Sequence, residues 1–315
     1  EFLVGVANNF GGFYHTEFYL HEAKRAGAVI EAPCVNRSEE LCSLARASGR
    51  QAARGNPNSP LTARIYLGLG NVKSLEEATV QLILHERRRN GPFTDLQDLL
   101  KRVPLGIEQA RILIRVGALR FTGKSKPQLL WDVTLLHRPA AVSSDGDLFI
   151  TRVEEPKLPD LHHYPLADAY DELDLLGFPL CDPFTLVEAA TGHEPRASGL
   201  SGVQSAAHAP QPMAILARQM SSCVGQRVQM LGYLIHVKAT DTHYGQRMSF
   251  GSFIDPAGDF WDSTQFPQVA ERFPFRGRGV YRFTGVVEEE FGHVSLRTQF
   301  VEKLPWKADP RYGEK

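Results

Sequence analysis

Leu67-Gly68-Leu69-Gly70-Asn71-Val72-Lys73-Ser74-Leu75-Glu76-Glu77-Ala78 sets a tight, glycine-bearing turn ahead of a strongly periodic helical run. The apolar period continues through Val80, Leu82, Ile83 and Leu84, then Leu96, Leu99 and Leu100, then Ile112, Leu113, Ile114 and Val116. Breaks at Gly91-Pro92 and Pro104-Leu105-Gly106 divide the run, so residues 64–137 read as a compact multi-helix unit. Val103-Pro104-Leu105-Gly106-Ile107 repeats the turn before a helix over Glu108 to Val116. A helix that begins after a small-residue turn directs unpaired N–H groups outward, where a phosphate oxygen can accept them. A helix-hairpin-helix motif grips the DNA backbone in this way without reading sequence.

Charge gathers in the same unit. Between Arg64 and Leu130 stand twelve basic residues, Arg64, Lys73, Arg87, Arg88, Arg89, Lys101, Arg102, Arg111, Arg115, Arg120, Lys124 and Lys126, against six acidic ones, in a chain whose net charge is −1. A local surplus of this size can hold phosphates through counterion release, each adding about 0.9 to the salt slope on duplex DNA. The same surplus is also what a solvated helix face carries. The candidate duplex-DNA contacts are Gly70, Lys73, Ser74, Arg87, Arg88, Arg89, Gly106, Arg111 and Arg115.

On the N-terminal side, two short helical segments, Phe2 to Phe10 and Glu17 to Ala26, lead through Gly27 into an extended piece stopped at Pro33. Loop chemistry fills 48–63. On the C-terminal side, residues 138–212 are rich in proline and mixed charge and read as a linker with short helices, one of them near Ala169 to Leu176. From Val224 onward the period becomes that of strands: Arg227 to Lys238, Arg247 to Ile254, Phe260 to Phe266, Val280 to Glu288 and His293 to Val301, with a short helix around Gln268 to Phe273. Five strands with one helix between the third and fourth is the layout of an OB-fold barrel. The expected class is α+β multidomain, with a helical helix-hairpin-helix domain followed by a five-stranded OB-fold β-barrel over 213–304 and a tail over 305–315.

The barrel's expected ligand face is its second and third strands. Lys238, His243, Tyr244, Arg247, Phe260, Trp261 and Gln265 are the candidates there for single-stranded DNA, combining rings for base stacking with cations for phosphates. Residues 224–304 are balanced in charge, however, and a barrel this small needs about half of its aromatics for its own core.

Composition removes other classes. The 315 residues are 43% hydrophobic and 23% charged, which excludes wholesale disorder. Neither a membrane-length apolar window nor a signal peptide is visible, so no membrane partner is expected and a cytoplasmic location is. The four cysteines form no Cys-x-x-Cys pair, and no Gly-x-Ser-x-Gly, Walker loop or His-Glu-x-x-His occurs. The chain opens at Glu1 within a helical pattern, as expected of a piece of a longer polypeptide.

The sequence resembles the alpha subunit of bacterial DNA polymerase III, the C-family DNA polymerases, over nearly its whole length. The resemblance lies in Glu1-Phe2-Leu3, Glu22-Ala23-Lys24-Arg25-Ala26-Gly27, Pro33-Cys34-Val35-Asn36-Arg37-Ser38 and Tyr66 through Lys73. It continues through Gly91-Pro92-Phe93-Thr94-Asp95-Leu96, Leu113 through Leu119, Leu175-Leu176-Gly177-Phe178-Pro179-Leu180 and the barrel pattern. It implies the C-terminal region of such a polymerase, with 1–47 as the end of the fingers. The family's catalytic aspartates and their Mg2+ would lie upstream, leaving this chain with no catalytic residue, cofactor or metal site of its own.

The resemblance also implies a peptide that docks on the sliding clamp, at Asp145-Gly146-Asp147-Leu148-Phe149, where Asp145, Asp147, Leu148 and Phe149 are the candidates. Leu148 and Phe149 on a polar segment are apolar anchors of the kind a peptide-in-groove mode needs, or Phe149 packs on the linker itself. The family's Gly-x-Gly hairpin after the lysine reads Ser74-Leu75-Glu76 here, which lacks both glycines and sets a carboxylate where phosphate would approach. The implied partners are duplex DNA, single-stranded DNA, the clamp and other replisome subunits. The alternative is a replisome interaction scaffold whose nucleic-acid modules have decayed.

Overall fold

Two units, residues 1–181 with 309–315 and residues 182–308, make up the computed structural model. It describes residues 1–9, 15–45, 63–136, 161, 164–188, 213–243 and 245–312.

In the first unit, α1 (Phe2–Asn8) and α2 (Thr16–Arg25) precede β1 (Val29–Glu31), β2 (Ser43–Ala45) and β3 (Arg64–Tyr66). Gly27 ends α2 at φ 88°, a left-handed turn that glycine adopts without a side-chain clash. The three strands form a small sheet in the order β1-β3-β2. Four helices follow, α3 (Glu77–Asn90), α4 (Leu96–Arg102), α5 (Ile107–Arg115) and α6 (Lys126–Leu136), then α7 (Pro165–Leu175). Asp95 caps α4 by accepting from the Asp98 N–H, and Gly91 leaves α3 at φ 80°.

Leu20, Ala23 and Val35 share one core with Ile83, Leu84, Leu99, Leu113, Ile114 and Leu119, and Leu175 and Phe178 join it. The division expected between 1–47 and 64–137 is therefore not a division between cores. The segment read as linker is likewise shared, since α7 packs in this unit while Val187 bridges to Trp306 in the barrel unit.

The second unit is built on β5 (Arg227–Asp241), β6 (Arg247–Ile254), β7 (Phe260–Gln265), β8 (Val280–Glu290) and β9 (His293–Lys303), with β4 (Met213–Ala214) at the edge and α8 (Pro267–Arg272) between β7 and β8. The order β5-β6-β7-β9-β8, closed by β5 against β8 and with β7 parallel to β9, is that of the five-stranded OB barrel. Its core holds Phe253, Trp261, Tyr281, Phe283, Val228 and Leu296. Phe253 and Trp261 stack at 5.0 Å between centroids, and Phe283 meets both edge-on. Gly232 and Gly251 are close approaches, since a Cβ on either would press on the Phe253 ring. Among the described residues no helix is long and apolar enough to cross a membrane.

Candidate nucleic-acid interface

The first hairpin spends several of its backbone donors inside the protein. Leu69 N–H donates to the Glu39 carbonyl and Gly70 N–H to that of Glu40, each at 2.9 Å, while Lys73 N–H donates to Leu175 at 2.8 Å. Glu76 N–H donates to Gln109 Oε1 at 2.9 Å, and Gln109 Nε2 donates back to the Ser74 carbonyl at 3.1 Å. Gln109, a residue of α5, thus takes the Glu76 N–H just ahead of α3, while the first turn of α3 has no side-chain cap. Gly70 is required by packing, because a Cβ there would lie 3.0 Å from the Glu40 oxygen, and Gly68 is tighter still against the same backbone. The Gly70 N–H is thus already bonded within the protein, although the residue itself is exposed.

Ser74 stands at φ 61°, the left-handed region where glycine is at ease, so the missing hairpin glycine is felt as strain rather than as a different turn. Gly106 differs again. It caps α5 at φ −65°, a Cβ would meet nothing within 4 Å, and α5 starts with no side-chain cap. The second hairpin, like the first, has a helix start without a side-chain cap and an acidic residue, Glu108, in its first turn, but no bond from Gln109 ahead of it.

Most of the basic surplus is committed to carboxylates and carbonyls. Arg87, only 11% exposed, donates to the Val35 and Ser38 carbonyls at 2.9 and 2.6 Å and to Glu39 at 2.6 Å. It is a structural tie between α3 and the 35–39 loop, which corrects its placement among DNA contacts. Arg88 pairs with the other oxygen of Glu39, and Arg111 with Glu108. Arg115 reaches Asp171 at 2.9 Å and Asp174 at 2.7 Å. Asp171 is buried and also takes Arg311 at 2.7 Å and Lys126 at 3.6 Å, so Arg115 belongs to an ion cluster that ties α5, α6, α7 and the tail. The Arg311 guanidinium also holds the Asp309 carboxyl below its ordinary range. Of the twelve basic residues, Lys73, Arg89 and Lys101 are exposed and make no ion pair among the described residues.

In the barrel, strand phase decides which side chains face out. Phe253 and Trp261 are paired across β6 and β7 and lie in the core, Trp261 only 4% exposed, and Gln265 in the same phase is fully buried with Nε2 on the Phe273 carbonyl. Trp261 and Gln265 are therefore core residues, which corrects their reading as surface contacts. Phe260 falls in the outward phase and is half-buried.

The ring on the outer face is Phe250, 42% exposed at the middle of β6, with Lys238 directly across on β5 and Thr264 across on β7. Met248 and Ser252 continue that face along β6. Phe250 was not among the sequence candidates, yet its signal was present, since it lies an odd number of residues from the inward Phe253. Arg247 points the other way. It lines a groove of about 620 Å³ with Val237, Ser249, Glu271 and Phe275, between the β5–β6 arm and α8. His243 is exposed at the arm's turn, Tyr244 lies outside the described residues, and so do Asp145, Asp147, Leu148 and Phe149.

Residues 27–129 match the family described as the helix-hairpin-helix motif. The error-prone DNA polymerase of Mycobacterium bovis is 36% identical over 120 residues, which are 38% of this chain and 10% of that polymerase. The DNA polymerase III subunit alpha of Staphylococcus aureus is 27% identical over 179 residues, 55% of this chain and 15% of that subunit. Among solved structures, the second OB-fold domain of replication protein A from Methanococcus maripaludis is similar at 10% identity and TM-score 0.24, over 30% of this chain and 99% of that domain. The chain thus spans a small part of the polymerases it matches. Residues 27–129 carry a helix-hairpin-helix motif, and part of the chain is similar to a region of error-prone DNA polymerases and DNA polymerase III alpha subunits.

Proposed function

We propose that this chain is a DNA-holding region of a C-family polymerase, in which the barrel carries single-stranded template on the outer face of β5, β6 and β7. The observation that carries this reading is the Phe250 ring, exposed at mid-strand with Lys238 as its cross-strand neighbour. A half-exposed ring on a sheet face offers a stacking surface that any base can use, and the ammonium beside it meets the adjoining phosphate. The helical unit contributes less than its composition suggests: duplex backbone would be held by Lys73, Arg89, Lys101 and the uncapped start of α5, a short list set against the twelve basic residues of the sequence.

In this reading the linker around Asp145 to Phe149 recruits the sliding clamp, other replisome subunits are further partners, and the phosphoryl-transfer site with its Mg2+ lies elsewhere in the longer polymerase. The Gln109 bridge and the paired arginines favour a second reading for the helical unit alone, a protein scaffold whose hairpins no longer hold phosphate. Binding of a single-stranded and a duplex oligonucleotide by the whole chain across a salt series separates them. DNA holding predicts affinity falling with salt, with a slope of about 0.7 per phosphate neutralised on single strands and about 0.9 on duplex. A flat response to duplex with a steep one to single strands assigns DNA to the barrel alone, and flat responses to both refute the proposal.

A further inference from the structure

The hairpin between β8 and β9 carries a residue that its backbone disfavours. Glu290 pairs with His293, so the turn is the two residues Phe291 and Gly292, with φ of 52° and 79°. Two successive left-handed residues make the tight hairpin turn that asparagine followed by glycine fills best. A phenylalanine there is a bulky side chain in a strained conformation, and it is fully exposed. The barrel gains no packing from it. The backbone ladder of the tip is its own: Val287 still bridges to Val224 and Leu296 to Ser263, but Glu288 to Ser295 pair only across their own hairpin, with the His293 side chain reaching Asp262 of β7. Strain and exposure at one residue, held by a regular ladder on both sides, point to a use outside the fold.

The charge around the ring identifies the kind of partner. Phe291 follows Glu288-Glu289-Glu290. Arg297 is taken by Glu288 at 3.0 Å and His293 by Asp262 at 3.1 Å, while Glu289 and Glu290 are exposed. A polyphosphate or an anionic lipid surface would be repelled here. We propose that the Phe291 tip is a protein-docking plug, whose ring enters an apolar pocket on a partner protein rimmed by lysine or arginine side chains that meet Glu289 and Glu290. The anchor is an aromatic ring in a pocket, and the acidic flank sets orientation and excludes nucleic acid. The inference is independent of the Phe250 platform, which lies on β6.

The test replaces Phe291 by photoreactive benzoylphenylalanine in the whole protein, in cells that make it, with the same probe at exposed Arg272 as control. The expected result is a crosslink from position 291 to one protein, at a peptide beside lysines or arginines, reduced at least tenfold by Glu289→Lys with Glu290→Lys. A crosslink to nucleic acid, no crosslink above the control, or one indifferent to the charge reversal overturns the proposal. A second measurement uses Phe291→Asn, which suits the turn and folds. Its affinity for a single-stranded oligo-dT probe should stay within twofold of the parent, and a tenfold loss would show that the tip reads DNA instead.

Discussion

Replacing Arg87 by alanine is expected to damage the fold of the helical unit, not its ligand affinity. The guanidinium is 11% exposed and makes three hydrogen bonds of 2.9, 2.6 and 2.6 Å, two of them to main-chain carbonyls of the 35–39 loop. A hydrogen bond from a charged donor contributes about 1.5–3 kcal/mol, and the alanine leaves both carbonyls without that donor. Glu39 is 47% exposed, so its ion pair adds about 1 kcal/mol or less. The sum is about 3–7 kcal/mol, or a fall of about 6–28 °C in the melting of a unit of this size. Arg89, two positions on and exposed, should change stability by about 0.5 kcal/mol or less when made alanine. Circular dichroism at 222 nm follows the helices of this unit, because the other unit is mainly strand. An Arg87→Ala protein that melts within about 2 °C of Arg89→Ala would refute the assignment of Arg87 as a structural tie.

Ser74→Gly should raise stability by up to about 1 kcal/mol by relieving a serine at φ 61°, measurable as a higher urea midpoint; a lower midpoint would contradict the strain. Gly68→Ala should lower it by several kcal/mol, because its Cβ would collide with the Glu40–Leu41 backbone, and an unchanged midpoint would show that this packing yields. Burial, with Lys24 adding repulsion, holds the His21 imidazole down to about 3 from 6.5. The unfolded chain therefore binds the extra proton first, and stability drops by about 1.4 kcal/mol for each pH unit below 6.5 until about pH 3. His21→Leu should flatten that part of the stability profile relative to the parent, and parallel profiles would refute it.

The strand half of the molecule is the part its sequence makes plain. Arg247 to Ile254 forms the strand its alternation predicts, and the turn at Asp255-Pro256-Ala257-Gly258 is closed by Asp255 accepting from Ala257 and Asp259. Those signals are local, so propensity and turn chemistry suffice to read them. What the sequence hides is phase and long-range pairing. Trp261 looks like a platform until Gly232 and Phe253 are seen to close over it, and Phe250 looks like core until Phe253 fixes the inward phase.

The run Arg87-Arg88-Arg89 looks like one basic patch, but successive helix positions turn by about 100°, so one faces the loop and another faces solvent. Its carbonyl partners lie 49 and 52 residues earlier in the chain, beyond any local pattern. Gln109 carries no motif at all, yet its side chain bridges Ser74 and Glu76, 35 and 33 residues away. The single core shared by α2 and α5 is hidden for the same reason, since 48–63 reads as a boundary by composition alone.

The central claim, that the barrel's outer face holds single-stranded DNA by stacking on Phe250, is tested most directly by fluorescence anisotropy with a single-stranded oligonucleotide and the whole chain carrying Phe250→Ala. Removing one stacking ring costs about 1–3 kcal/mol, so affinity should fall by about 5- to 150-fold while the melting temperature and the salt slope stay as in the parent. Unchanged affinity with an intact fold would contradict the account.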